Sequence, residues 1–105
     1  MGYRSQIAIA VDPSVYDNAP DQVKKTFQEV FEENQIKESE RIVFFHYSVK
    51  WYPSYPDVAI IENWLESLED NEYALMELGE DYSDVRMSGE CFEYGLDFVR
   101  KIEFE

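Results

Sequence analysis

The chain has 105 residues, 45% of them hydrophobic and 16% aromatic, and its 23 acidic against 9 basic side chains give a net charge of −14. The aromatic content excludes a disordered acidic segment, because such segments are poor in aromatic residues. The charge disfavours direct binding to nucleic acid or anionic membranes and favours basic proteins as partners, with simple solubility as the alternative. The length predicts a single domain over residues 1–105.

Hydrophobic periodicity predicts a strand and a helix in the first third of the chain. Apolar and polar positions alternate in residues 3–11, with Ile7, Ile9 and Val11 on one side, which is typical of a strand. A helix is predicted next, with Asn18 as its cap and Pro20 in its first turn. Its apolar stripe consists of Val23, Phe27, Val30 and Phe31.

A second strand is predicted over residues 41–52, again from alternation. One face of it would carry Val43, Phe45, Tyr47, Val49 and Trp51. The other face would carry Phe44, His46, Ser48 and Lys50. We expect the first face to be covered by helices, with Trp51 in the core between the sheet and a helix.

The rest of the chain predicts one more helix and three strands. Pro53 and Pro56 end the second strand, and a helix begins near Asp57 with the stripe Val58, Ile61, Leu65 and Leu68. Strands are then predicted at residues 73–80 and 84–90. A last strand is predicted over residues 96–105, with Leu96, Phe98, Ile102 and Phe104 on one face.

The predicted order is therefore β-α-β-α-β-β-β. Since each helix has a single apolar stripe, each helix covers one side of a sheet. The fold class that follows is α+β, a two-layer sandwich with a mixed sheet of about four to five strands and two helices on one face.

Four stretches of the chain resemble a group of small phage and prophage proteins: MGYRSQIAIAV, VKWYPSYPDV, YALMELGEDYSDVRMSGE and FVRKIEF. Proteins of that group begin with Met-Gly-Tyr-Arg-Ser. They have a Lys-Trp-Tyr turn and a Gly-Glu-Asp acidic stretch before a closing strand. The resemblance implies a phage-encoded accessory protein and implies neither an activity nor site residues.

No catalytic or metal-binding pattern stands out. His46 and Cys91 are the only residues of their types, and no sequence feature orients them as a base and a nucleophile. The acidic run from Asp81 fails the calcium-loop pattern, because Val85 and Arg86 occupy the positions of a ligand and of the required glycine. We therefore expect no enzyme activity, no cofactor and no metal.

Most of the negative charge lies in the second part of the chain. Residues 1–61 have 9 acids and 6 bases, whereas residues 62–105 have 14 acids and 3 bases, a net charge of −11. Such a surface can imitate a nucleic-acid backbone, which predicts a phage protein that binds and inhibits a host defence or nucleic-acid-handling protein with a basic surface. The predicted protein-binding residues are Glu62, Glu66, Glu69, Asp70, Glu77, Glu80, Asp81 and Asp84.

An alternative function uses the sheet face that the helices leave open. Several of the few basic residues would meet there and could bind a small anionic ligand such as a nucleotide. The residues predicted for this site are Arg4, Gln6, His46, Ser48, Lys50 and Lys101. The same face could instead form a homodimer through Phe44, Tyr52 and Tyr73. A single cysteine and the phage resemblance both suggest the cytoplasm of a host cell.

Overall fold

An antiparallel sheet of five strands carries helices on one of its faces. The computed structural model describes residues 5–32, 34–52, 54–79, 85–91, 94, 96–98 and 102–104. The strands are β1 (Ser5–Val11), β2 (Gln35–Lys37), β3 (Ile42–Val49), β4 (Tyr73–Leu78), β5 (Val85–Gly89), β6 (Leu96–Phe98) and β7 (Ile102–Phe104). The helices are α1 (Pro13–Asp17), α2 (Asp21–Phe31) and α3 (Pro56–Glu66), with a 3₁₀ turn at Asp70–Glu72.

The α+β fold class is confirmed, but the pairing of the strands differs from the predicted mixed sheet. The strand order is β2-β3-β1-β4-β5, and each of these neighbouring pairs is antiparallel. A β-α-β pattern favours a parallel crossover. The short strand β2, which the sequence analysis missed, forms a hairpin with β3 instead. The chain therefore runs along β1 in the opposite direction when it reaches β3.

The predicted first helix is α2, and a short helix that was not predicted, α1, precedes it. The Asp12 carboxylate accepts a hydrogen bond from the Ser14 backbone N–H at 2.9 Å, and Pro13 starts α1. Asn18, predicted to cap the long helix, is the C-cap of α1, and its side chain donates to the Ser14 carbonyl oxygen. Proline at residue 20 then starts α2 afresh, because its ring fixes the backbone for a new first turn.

The main core lies between the sheet and the helices. The predicted stripes of α2 and α3 are confirmed, since Val23, Phe27 and Phe31 and then Val58, Ile61 and Leu65 are buried. They pack against residues of the sheet, chiefly Ile7, Ile9, Val11, Ile42, Phe44, Tyr73 and Leu75.

The face assignment of β3 was wrong at its beginning and right at Trp51, and a β-bulge explains both results. Ile9 pairs with Phe44, so Phe44, and not Phe45, lies on the helix side. Between Ser5 and Ile7 the partner residue on β3 moves from Val49 to His46, which inserts one extra residue into β3. The inserted residue reverses the alternation, so Val49 and Trp51 also face the helices.

The sheet face opposite the helices is covered, so the prediction of an open face available to a ligand or a second copy of the chain was wrong. Ala8, Ala10, Ala74 and Met76 are fully buried there in a smaller core that includes Cys91. Strand β7 contacts β1 and β4, and Tyr94 packs against the same core. Small alanine side chains allow this close approach of the C-terminal segment. Phe44 and Tyr73 were predicted to form a homodimer surface on this face. That prediction was wrong, because both side chains are buried on the helix side.

The predicted last strand is a hairpin of two strands. Strands β6 and β7 pair antiparallel, with Leu96 opposite Phe104 and Phe98 opposite Ile102. The apolar residues have the same parity in both strands. A single strand and a hairpin therefore give the same alternation in the sequence, and no strong turn motif separates them.

Gly89 is a position where the sheet requires glycine. Its φ of +72° lies in the left-handed region, and a Cβ atom there would stand 2.3 Å from the backbone oxygen of Tyr73. We expect Gly89→Ala to lower the free energy of unfolding by at least about 1–3 kcal/mol, because both the backbone strain and the clash oppose it. Denaturant melts should show less than about 0.5 kcal/mol for Glu90→Ala at the exposed neighbour. Equal losses for the two variants would contradict this role of Gly89.

Candidate functional site

Acidic side chains from several segments meet at one end of the sheet, where β1 and β5 end and β4 begins. The Asp12 backbone N–H donates to the Glu72 carbonyl oxygen at 3.1 Å, and the Glu90 N–H donates to the Tyr73 carbonyl oxygen at 3.1 Å. The 3₁₀ turn adds Asp70, and Glu69 precedes it. We call Asp12, Glu69, Asp70, Glu72 and Glu90 the acidic end.

Tyr94 lies among these carboxylates. Its hydroxyl donates a hydrogen bond to the Asn71 carbonyl oxygen at 2.9 Å. Burial raises the pKa of the Tyr94 hydroxyl, and the negative charges of Asp12, Glu90 and Glu72 raise it further. The three carboxylates come from three different segments, and the backbone hydrogen bonds of Asp12 to Glu72 and of Glu90 to Tyr73 bring them into a single negative region.

Most carboxylates of the acidic end are accessible to solvent. Hydrogen bonds from the Ser14 hydroxyl and then from its backbone N–H lower the pKa of Asp12. Glu69, Asp70 and Glu90 are exposed. The nearby guanidinium of Arg41 is buried, and it donates to the Glu38 carboxylate and to the Tyr94 carbonyl oxygen. Arg41 is thereby bound to Glu38 and the Tyr94 backbone, and among the described residues it forms no ion pair with a carboxylate of the acidic end.

The structure separates the eight acids that were predicted as a protein-binding surface. Glu69 and Asp70 belong to the acidic end, and Glu66 is exposed on α3. Glu62 and Glu77 are instead bound to Arg86. The remaining three predicted residues, Glu80, Asp81 and Asp84, lie outside the described residues.

Arg86 connects β5 to α3 and to β4. Two of its nitrogens donate to the two carboxylate oxygens of Glu62, at 2.8 and 2.7 Å. Its Nε donates to the Glu77 carboxylate at 3.0 Å. The indole N–H of Trp51 donates to Glu62 at 2.7 Å. Glu62 is therefore a shared acceptor that holds α3, β5 and the Trp51 ring in one arrangement.

The ionisation of Glu62 is set by opposing effects. Burial alone would raise the pKa of its carboxyl group, but the hydrogen bonds from Arg86 and Trp51 and the charge of Arg86 outweigh burial and lower it. The hydrogen bond with Glu62 in turn raises the pKa of Arg86. Both groups stay charged at neutral pH, and two of the predicted surface acids share one base, which leaves a net charge of −1 on the three side chains.

A cleft of about 380 Å³ lies at the other end of β3, on the helix side. Its polar and aromatic walls come from His46, Lys50, Trp51, Tyr55 and Asp57. Its apolar walls come from Val30, Val49 and Val58. The stretch from residue 46 to residue 58 therefore supplies seven of the eight lining residues, and the bulge in β3 turns Val49 and Trp51 toward the cleft.

Of the residues predicted for an anionic ligand, the structure brings two together. His46 and Lys50 line the same cleft, but on the helix side and not on an open sheet face. Gln6 lies on β1, where it pairs with Leu78. The even-numbered residues of β1, such as Ala8 and Ala10, face away from the helices, so Gln6 is on the side of the sheet opposite the cleft. Arg4, Lys101 and the Ser48 side chain lie outside the description.

His46 and Cys91 lie on opposite faces of the sheet. The Cys91 thiol is buried in the smaller core and donates to the Leu75 carbonyl oxygen at 3.1 Å. Burial raises the pKa of this thiol, so at neutral pH it is protonated and a poor nucleophile. His46 lines the cleft on the helix side, so the sheet separates the two side chains.

Comparisons of the chain with models of protein families, with curated proteins and with solved structures find no match. Within the described ranges, no helix has both the length and the apolar character to cross a membrane. Over the same part of the chain, no group of three or more histidine, cysteine, aspartate or glutamate side chains could hold a metal ion.

Sequence reasoning missed three members of the acidic end and the role of Arg86. Asp12, Glu72 and Glu90 lie far apart in the sequence, and only the antiparallel pairing of β1, β4 and β5 brings them together. The two-residue spacing of Asp12 and Ser14 at a helix start was a usable signal for Asp12. Arg86 faces Glu77 in register, which no sequence pattern indicates.

Replacing Glu62 tests the shared acceptor. We expect Glu62→Gln to lower the free energy of unfolding by about 1–3 kcal/mol at neutral pH, since Arg86 and Trp51 lose a charged acceptor. Glu66→Gln, on the same helix and exposed, should cost less than about 0.5 kcal/mol. Chemical denaturation of the three proteins measures both values.

The cost of Glu62→Gln should also depend on pH. The pKa of Glu62 is lower in the folded protein than the ordinary value of 4.5, so its contribution is fully present above that value. As pH falls through the folded pKa the contribution is lost, and the wild-type and Glu62→Gln melts should converge. A constant difference between the two proteins across this pH range would contradict the role of the charge.

Proposed function

We propose that this chain is a non-enzymatic phage accessory protein that binds a basic surface of a host protein and inhibits it by imitating DNA. The observation that carries the proposal is the convergence of Asp12, Glu72 and Glu90 around Tyr94, with Glu69 and Asp70 exposed beside them. The phage origin rests on the resemblance of four sequence stretches and places the protein in the cytoplasm of the infected cell.

Electrostatic reasoning supports a protein partner. A surface that binds DNA presents lysine and arginine side chains to a row of phosphates. The acidic end presents carboxylates from rigid elements, and the backbone hydrogen bonds of Asp12 and Glu90 fix their spacing without the partner. Preorganised charges steer a basic partner into contact and lose little conformational entropy on binding.

The proposed binding surface is smaller than the one predicted from the eight acids. Glu62 and Glu77 are engaged by Arg86 and would have to give up these ion pairs to meet a partner. Glu69 and Asp70 have no such bond to a basic side chain among the described residues and are exposed. We therefore expect Glu69 and Asp70 to contribute more to partner binding than Glu62 or Glu77.

A charge-reversal experiment tests this function. Glu69→Lys/Asp70→Lys should abolish the retention of partners from a bacterial lysate on the immobilised protein. Asp21→Lys/Glu29→Lys on exposed positions of α2 changes the net charge equally and should retain them. Short duplex DNA and high salt should each release the partners retained by the wild-type protein.

Affinity for a recovered partner gives the quantitative result. We expect the affinity to fall about tenfold or more for Glu69→Lys/Asp70→Lys. The α2 control should change the affinity less, because charges outside the contact act mainly on the rate of association. Equal binding by the two reversed proteins, or retention that duplex DNA cannot compete, would argue against DNA mimicry. Circular dichroism melts of all three proteins check that the fold is kept.

A further inference from the structure

The cleft beside the β3 bulge has the composition of a small-molecule site. Such sites are concave, mostly apolar and contain a few placed polar groups, with volumes of roughly 300–1,000 Å³. This cleft has a volume of about 380 Å³, with valines on its walls and two aromatic side chains. It lies at the end of β3 away from the acidic end, so it is separate from the proposed protein-binding surface.

Two opposite charges line the cleft without neutralising each other. Lys50 and Asp57 are both lining residues. Within the described residues neither of them takes part in an ion pair. In a protein with so few bases, a lysine and an aspartate that line one cleft without forming an ion pair leave both charges available to a third group.

The aromatic wall is rigid on one side and exposed on the other. Trp51 is 4% exposed, packs against the Phe31 ring with centroids 6.1 Å apart, and has its N–H held by Glu62. Tyr55 is 42% exposed, and its ring meets that of Tyr52 edge-on, with centroids 5.3 Å apart. A planar ring in the cleft would therefore meet mainly the Tyr55 ring, which can adjust, and only the small exposed part of the fixed Trp51 indole.

We propose that this cleft binds a small aromatic zwitterion of the amino-acid type. Its ring would lie along Tyr55 and touch the small exposed part of Trp51, its carboxylate would face Lys50 and its ammonium group would face Asp57. The proposal differs from the predicted anionic ligand, because the single lysine is balanced by an aspartate and the overall charge of −14 disfavours a phosphate-bearing molecule.

Three probe molecules separate the contributions of the two charges. L-phenylalanine has a ring and both charges, phenylacetate has the ring and only the anion, and phenethylamine has the ring and only the cation. The chain has two tryptophans, so Trp64→Phe leaves Trp51 as the sole indole reporter for fluorescence titration. Calorimetry on the wild-type protein gives a second measurement that does not depend on this variant.

The expected result is saturable binding of phenylalanine, about tenfold tighter than either single-charge probe. Lys50→Gln should weaken phenylalanine about tenfold and leave phenethylamine unchanged. Asp57→Asn should weaken phenylalanine similarly and leave phenylacetate unchanged. Lys25→Gln and Asp21→Asn, at exposed positions of α2, are the matched controls and should have no effect.

Other outcomes overturn the proposal. If phenylacetate binds as tightly as phenylalanine, the cleft is an anion site in which Asp57 has no part. If none of the three probes binds saturably to a folded wild-type protein, the cleft is not a site for aromatic zwitterions. Because Glu69 and Asp70 are at the other end of β3, loss of partner binding and loss of probe binding would be separate results.

Discussion

The extra residue in β3 opposite Ser5–Ile7 is the constraint on which the rest of the structure depends. Without it, strict alternation would place Phe44 and Trp51 on opposite faces of the sheet, because Trp51 is seven positions after Phe44 and an odd offset changes the face. With it, both side chains pack against the helices, and Trp51 reaches Glu62 on α3. A β-bulge also bends its strand, and at this bend β3 borders the cleft.

The hydrogen bonds of Glu62 extend this arrangement to the edge of the sheet. Trp51 and Arg86 donate to the same carboxylate on α3, and Arg86 also reaches Glu77 on β4. The helix is therefore attached to the sheet by a charged contact in addition to its apolar stripe. Glu62, Glu77 and Arg86 together keep one net negative charge, whereas no carboxylate of the acidic end takes part in an ion pair among the described residues.

The two proposed surfaces lie at opposite ends of β3 and have different physical characters. The acidic end consists of exposed and half-buried carboxylates around one phenol and can act over several ångströms through its field. The cleft has a buried aromatic wall and one charge of each sign, which suits short-range recognition of a small molecule. Neither surface uses Cys91, whose thiol is buried against the C-terminal segment.

The sequence by itself determined the α+β class, the stripes of α2 and α3, and strands β1, β4 and β5, because these depend on local periodicity. It also predicted that Trp51 is buried, but the bulge, which alternation does not reveal, is what places Trp51 on the helix side. It also located the excess of negative charge in the second part of the chain. Only the tertiary structure decided the antiparallel pairing, the bulge, the C-terminal hairpin on the second face, and which acids meet. Register depends on contacts between residues distant in sequence: Phe44 with Ile9, Arg86 with Glu77, and Asp12 with Glu72. A one-residue shift moves a side chain to the other face without changing the alternation that the sequence displays.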